Sequence, residues 1–136
     1  MRVLVIGRTE ILYETAILLS KWHEVCGIIT SRSVPEYSKK EEDFESLAKN
    51  IGCSFLLTQS LDEKSNKFIE ELKSDIGVSL NWVSVIKEDT LKLLPRGILN
   101  AHFADLPRFR GNAVVNWALI RGENKIPLTI HYMTAG

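Results

Sequence analysis

The feature that most constrains the fold of this chain is a regular alternation of short apolar runs with amphipathic stretches. The first run, residues 2–6, is apolar after its first residue and ends at Gly7, which is typical of a strand buried within a parallel sheet. Helical stretches separate it from later runs of the same kind, and this order predicts parallel strands joined by right-handed crossovers. The predicted strands are residues 2–6, 24–30, 53–57, 76–80, 98–102 and 127–133, and the predicted helices are residues 10–20, 41–50, 62–73, 88–94 and 112–121.

These elements predict one α/β domain over residues 1–136, with a Rossmann-like, doubly wound, mainly parallel sheet and helices on both faces. The switch point should lie between the first and fourth strands, where ligands bind in such sheets. The turn after the first strand reads Gly7, Arg8, Thr9, Glu10 and lacks the glycines of GxGxxG, so a dinucleotide site is not predicted.

Length and charge narrow the class further. The 136 residues suffice for one domain with a real core. Basic and acidic side chains balance at 17 each, so no net field attracts nucleic acid or a membrane surface. With no membrane-length apolar run and no signal peptide, we expect a cytoplasmic protein. Cys26 and Cys53 are expected to be buried thiols, and no metal-ligand spacing predicts a metal site.

The strongest candidate for chemistry is the pair Asn100 and His102 in the fifth predicted strand. The two-residue period of a strand places both on one face, with Leu99 and Ala101 on the other. A carboxamide can donate to a developing oxyanion, and an imidazole can move a proton near neutral pH. The pair therefore suits attack of an amine on a carbonyl-like carbon, although polar residues at a strand end are more often structural.

The surrounding sequence carries a family resemblance. The runs NAHFADLPRFRG, NWALIRGE and LTIHYM resemble the catalytic segment of the folate-dependent formyltransferases, whose pattern is NxHxSLLPxxRG, an AIxxGE helix and a VTxHxM strand. The resemblance implies that Asn100 and His102 act on the formyl group of 10-formyltetrahydrofolate, which would be the co-substrate.

The resemblance also implies which residues bind that co-substrate. In the family the turn after the fourth strand wraps the pterin with main-chain groups, and the segment after the catalytic histidine lies beside it. The corresponding residues here are Trp82, Val83, Ser84, Val85 and Ile86, followed by Ala104, Asp105, Leu106 and Pro107. For Trp82 a purely structural place in the core is an equal alternative.

An arginine-rich loop follows, and it is suited to holding an anionic group such as a phosphate by bidentate contacts. A solvated loop is the alternative. The predicted substrate-binding residues are Arg108, Arg110, Gly111 and Asn112.

Three further expectations concern the end of the chain. In the helix that follows the loop, Trp117 and Leu119 should be partly buried, and His131 in LTIHYM should be structural rather than catalytic. In the family a catalytic Asp follows the HxM strand in a DxGxI segment. The sequence stops at Gly136 before such a residue, so we expect a domain that lacks the C-terminal end of the family domain.

The function expected from these observations is transfer of a formyl group from 10-formyltetrahydrofolate to a small-molecule amine. Asn116 and Trp117 before ALIRGE resemble the sugar-nucleotide N-formyltransferases more than the methionyl-tRNA enzymes, and this resemblance implies an amino sugar nucleotide as acceptor. No nucleic acid and no membrane are expected as partners. Hydrolysis of the same donor and a non-catalytic folate-binding or partner-binding remnant are the alternatives. A homo-oligomer is left open.

Overall fold

The sheet is built around its first strand. In a computed structural model, which describes residues 1–108, 110–111 and 114–135, the strands follow the order β3-β2-β1-β4-β5-β6. Neighbours from β3 to β5 are parallel, and β6 is antiparallel to β5. The strands are β1 (Arg2–Gly7), β2 (Glu24–Thr30), β3 (Ser54–Leu57), β4 (Ile76–Leu80), β5 (Ile98–His102) and β6 (Thr129–Tyr132).

The helices begin and end where local sequence signals place them. Gly52, in the left-handed conformation that favours glycine, ends α2, and the Asp62 carboxylate accepts a hydrogen bond from the Ser65 N–H to cap α3. The helices described are α1 (Glu10–Ser20), α2 (Glu41–Ile51), α3 (Glu63–Leu72), α4 (Glu88–Leu91) and α5 (Val114–Ile120).

Two apolar clusters cover the opposite faces of the sheet, which confirms the doubly wound α/β prediction. One joins Val3 and Val5 of β1 to α1 and α2. The other joins Leu4 and Ile6 of β1 to Ile69 of α3. Because successive strand residues point to opposite faces, β1 supplies both clusters.

The elements near the end of the chain differ from the sequence prediction. The fourth helix stops at Leu91 rather than residue 94, because the chain tightens there into turns in which the Leu93 and Leu94 N–H groups donate to the carbonyl oxygens three residues earlier. The last strand begins at Thr129 rather than 127, since Pro127 cannot donate to a ladder. In α5 only Val114 and Ala118 are buried. The expectation of partly buried side chains is therefore wrong for Trp117 and Leu119, which are 55% and 64% exposed.

The strand order reverses direction between β1 and β4, where the switch point was predicted. There Gly7 has a φ of 142°, and a Cβ built on it would lie 1.8 Å from the carbonyl oxygen of Leu80. Only glycine permits this approach of the β1 end to β4. The next residue continues the contact, because the Arg8 N–H donates to the same Leu80 oxygen at 3.1 Å.

Candidate active site

A cavity of about 1220 Å³ opens at the carboxyl ends of β1, β4 and β5. Its position is the one where open parallel sheets bind ligands. Its volume exceeds that of a typical single-ligand pocket, roughly 300–1,000 Å³, so it has room for two substrates. Two smaller depressions, about 540 and 900 Å³, lie near the amino ends of β1 and β2, at the opposite end of the strands.

Asn100 and His102 both line this cavity. The two-residue strand period explains the arrangement. Leu99, which precedes Asn100, and Ala101, which lies between the pair, pack against the core cluster on the other face of the sheet. All four are partly exposed, whereas Ile98 at the start of β5 is buried. The fifth strand therefore enters the site from the core and presents its polar side chains at its carboxyl end.

His131 joins the pair from the last strand. It lies directly opposite Asn100 in the β5–β6 ladder, and its Nε2 is 3.3 Å from Asn100 Nδ2. It also lines the cavity. Sequence reasoning treated His131 as structural, since nothing local reveals which residue an antiparallel neighbour will face.

Buried polar atoms without a partner cluster at this cavity. Among the described residues, the Ser79 hydroxyl, the Trp82 indole N–H and the Ser84 hydroxyl are buried and make no hydrogen bond, and all three residues line the cavity. Leaving a buried polar group unsatisfied costs about 1–3 kcal/mol, so these atoms indicate a place for a polar ligand or water. Trp82 also packs against the second core cluster. It therefore contacts the core and lines the cavity at the same time.

The cavity is electropositive in its side-chain composition. Arg8 and Arg110 line it, and the described lining residues include no aspartate or glutamate. The Arg8 Nε–H donates to the Asn81 carbonyl oxygen at 3.2 Å, and its guanidinium lies 5.0 Å from the centre of the Tyr37 ring. Arg8, Tyr37 and Ser79 were not among the predicted site residues. The position of Arg8 directly after an apolar strand that ends in glycine was the available signal.

Of the residues predicted to bind the co-substrate, Trp82, Val83, Ser84, Leu106 and Pro107 line the cavity. The other four are absent from the described lining. Val85 is 79% exposed, Ile86 and Ala104 are buried, and Asp105 is exposed. The side chains of Ile86 and Ala104 are held in the interior, so contacts from these residues would have to come from the main chain.

Only some of the predicted substrate-binding residues line the cavity. Arg110 and Gly111 line the cavity, whereas Arg108 donates to Glu123 at 2.5 Å and is not among the described lining residues. The interaction with Glu123 offsets its charge. Asn112 and the neighbouring Phe109 lie outside the described residues.

The part of the chain that the structure describes contains no group of three or more His, Cys, Asp or Glu side chains that could hold a metal ion. Within the same residues, no helix combines the length and apolar character needed to cross a bilayer.

Comparisons with known proteins identify the family of this chain. The family model described as formyl transferase matches residues 1–136. The methionyl-tRNA formyltransferase of Alkaliphilus oremlandii is 30% identical over 124 residues, which are 88% of this chain and 40% of that protein. The chain thus spans less than half the length of the curated relatives that it matches.

Solved structures share the fold. A phosphoribosylglycinamide formyltransferase from Anaplasma phagocytophilum superposes with a TM-score of 0.78 at 22% identity, covering 100% of this chain and 66% of that one. A formyltetrahydrofolate deformylase from Pseudomonas syringae gives a TM-score of 0.75 at 17% identity, covering 99% of this chain and 46% of that one. At these identities the likeness establishes the fold.

Proposed function

Because this chain belongs to the formyl transferase family, we propose that it transfers a formyl group from 10-formyltetrahydrofolate to the amine of a small anionic molecule such as an amino sugar nucleotide. The observation that carries the proposal is that Asn100 and His102 line one cavity at the switch point of the sheet. Acyl transfer to an amine requires a hydrogen-bond donor for the developing oxyanion and a base for the proton of the amine, close to each other.

The co-substrate supplies an electrophilic formyl carbon, and the side chains of this chain act around it. The Asn100 Nδ2–H donates to the formyl oxygen as negative charge develops on it. His102 takes the proton that the acceptor nitrogen loses on attack and passes it to the folate nitrogen as its bond to the formyl carbon breaks. The new carbon–nitrogen bond forms on the acceptor, so atoms and charge balance without a metal or a redox partner.

The donor would lie on the β4 side of the cavity. The Trp82 ring, its unpartnered indole N–H and the Ser84 hydroxyl offer a flat apolar surface with polar atoms beside it, which suits a pterin. Main-chain groups of residues 82–86 and of residues 104–107 would add hydrogen bonds.

The anionic part of the acceptor would bind at the arginines of the cavity. Arg8 and Arg110 line the cavity and no described lining residue is acidic, so an acceptor with a phosphate or diphosphate gains charge-assisted hydrogen bonds there. The balanced net charge of the chain supports a small anion over a nucleic acid.

Hydrolysis of the same donor is the second candidate. The protein from Pseudomonas syringae that shares this fold is described as a formyltetrahydrofolate deformylase, and the exposed residues Val83 and Arg110 at the cavity leave a route for water.

Product analysis tests the proposal. The purified chain is incubated with 10-formyltetrahydrofolate and an amino sugar linked to a uridine or thymidine diphosphate, with the amino sugar lacking its nucleotide as the control acceptor. Formylated nucleotide sugar supports the proposal. Formate release at the same rate without an acceptor supports hydrolysis, and folate binding without any product supports a non-catalytic domain.

A variant assigns any turnover to this site. Asn100→Ala should lower kcat by roughly 10²- to 10³-fold, the usual effect of removing one oxyanion donor. Asn50→Ala, on the exposed surface of α2, is the matched control and should leave the rate unchanged. An Asn100→Ala protein with the original rate would contradict the assignment.

A further inference from the structure

We propose that His131 is a positioning residue whose neutral imidazole, protonated at Nδ1, fixes the orientation of the Asn100 carboxamide. The tautomer of His131 and the orientation of Asn100 are argued from hydrogen bonds alone and do not depend on the reaction. The effect of this contact on catalysis rests on the proposed function, in which Asn100 is the oxyanion donor.

The register of the sheet brings the two side chains together. Asn100 and His131 are direct partners in the antiparallel β5–β6 ladder, so their side chains point to the same face. Ser79 of β4 is the partner of Asn100 on its other side. A row of three polar side chains therefore crosses three neighbouring strands, with Asn100 in the middle.

The contacts of His131 determine its tautomer. Its Nδ1 lies 3.0 Å from the carbonyl oxygen of Tyr132. A carbonyl oxygen only accepts hydrogen bonds, so Nδ1 carries the proton and the Nε2 of the neutral ring has a free lone pair. Nε2 is 3.3 Å from Asn100 Nδ2 and accepts a hydrogen bond from it.

This hydrogen bond selects one of the two amide orientations of Asn100. The carboxamide oxygen and nitrogen have nearly the same shape, so packing alone barely distinguishes them. An acceptor at His131 requires the nitrogen to face β6. On the β4 side the buried Ser79 hydroxyl makes no hydrogen bond within the described residues, so the orienting contact that the structure describes comes from His131.

The catalytic consequence follows from the number of amide hydrogens. Asn100 Nδ2 has two, of which His131 takes one, and the other remains for the formyl oxygen. Without His131 the amide could turn its oxygen to that position, where it would repel the developing oxyanion. The loss would fall on kcat rather than on binding, because it concerns charge that develops only in the transition state.

Nitrogen-15 NMR of the unliganded wild-type chain tests the tautomer without any assay. We expect the His131 ring to show a proton on Nδ1 and an unprotonated Nε2, with a hydrogen-bond coupling from Nε2 to the Asn100 amide. His23, which directly precedes β2 at the opposite end of the strands from the cavity, is the internal control ring. A proton on Nε2 of the neutral His131 ring would overturn the proposal, whatever reaction the protein catalyses.

Two variants test the consequence for turnover. His131→Leu should lower kcat by roughly 5- to 30-fold, the factor for one hydrogen bond, with the donor KM unchanged. His131→Gln places an amide oxygen near the Nε2 position and should restore kcat to within about threefold of wild type. His23→Gln is the matched control and should behave as wild type.

Equal loss in the Leu and Gln variants would overturn the positioning role, since only bulk would then matter, and an unchanged kcat in His131→Leu would do the same. If His131→Leu does not fold, the NMR result and the Gln variant decide. If the wild type forms no product at all, the proposed function fails while the tautomer is still tested.

Discussion

The first strand and the last two strands of the sheet use their two faces in different ways. In β1 every residue after Arg2 is buried, because neighbouring strands and helices cover both faces. In β5 only Ile98 is buried, and β6 alternates half-buried and exposed residues. The comparison teaches that polar side chains for chemistry can be placed only where one sheet face meets a cavity, because burying them in β1 would leave them unsatisfied.

The largest expected loss of stability follows from substituting Gly7 at the carboxyl end of β1. Gly7→Ala places a Cβ 1.8 Å from the Leu80 oxygen at a φ of 142°. Overpacking and backbone strain cost roughly 1–3 kcal/mol each, so we expect loss of a large part of the folding free energy. Urea unfolding measures it. Gly111→Ala, also at positive φ but with open space around it, is the control. A fully stable Gly7→Ala chain would refute the tight β1–β4 contact.

The next effect contrasts buried and exposed apolar residues in the two regions. Leu4→Ala, at a fully buried position in β1, should cost about 2–5 kcal/mol. Ile130→Ala in β6, where the side chain is 65% exposed, should change stability by about 0.5 kcal/mol or less. Thermal and urea unfolding of both variants give the comparison, and equal costs would contradict the difference between the strands.

A third effect tests charge at the cavity rather than packing. Arg110→Gln should raise KM for a diphosphate-bearing acceptor by roughly tenfold or more, since a charge-assisted hydrogen bond is worth about 1.5–3 kcal/mol, and should leave the donor KM unchanged. Arg96→Gln, near the start of β5 and outside the described cavity lining, is the control. Equal KM values in the two variants would remove the acceptor role of Arg110.

The smallest expected effect on stability concerns hydrogen bonds between Ser33 and Glu41 at the start of α2. The Ser33 hydroxyl and N–H donate to the Glu41 carboxylate at 2.6 and 3.0 Å, and these hydrogen bonds lower the pKa of Glu41 from 4.5 to about 2. The contribution to stability is complete above about pH 4.5 and is lost as pH falls towards 2.

Ser33→Ala should therefore raise the pKa of Glu41 towards its ordinary value and reduce the stability lost between pH 4.5 and 2. Carbon-13 NMR titration of the carboxyl group measures the pKa, and unfolding at pH 3 and pH 6 measures the stability. Ser38→Ala, whose hydroxyl donates to Glu10 instead, is the control. An unchanged Glu41 titration in Ser33→Ala would refute the role of the hydroxyl.

Much of this protein follows from its local sequence. The continuous apolar runs predicted the strands, and Gly52 and Asp62 marked helix ends, because these signals act over a few neighbouring residues. The two-residue strand period alone placed Asn100 and His102 on the same face. The family resemblance predicted a formyl transferase domain, and the match of the family model over residues 1–136 confirmed the family.

The tertiary structure decided what depends on residues distant in the chain. Asn100 faces His131 from 31 positions away, Arg108 meets Glu123 rather than the cavity, and Trp117 lies exposed because α5 buries only Val114 and Ala118. Strand register, ion pairs and helix docking are set by the packing of the whole sheet. A local pattern therefore indicates which residues can do chemistry, and the assembled fold decides which of them meet.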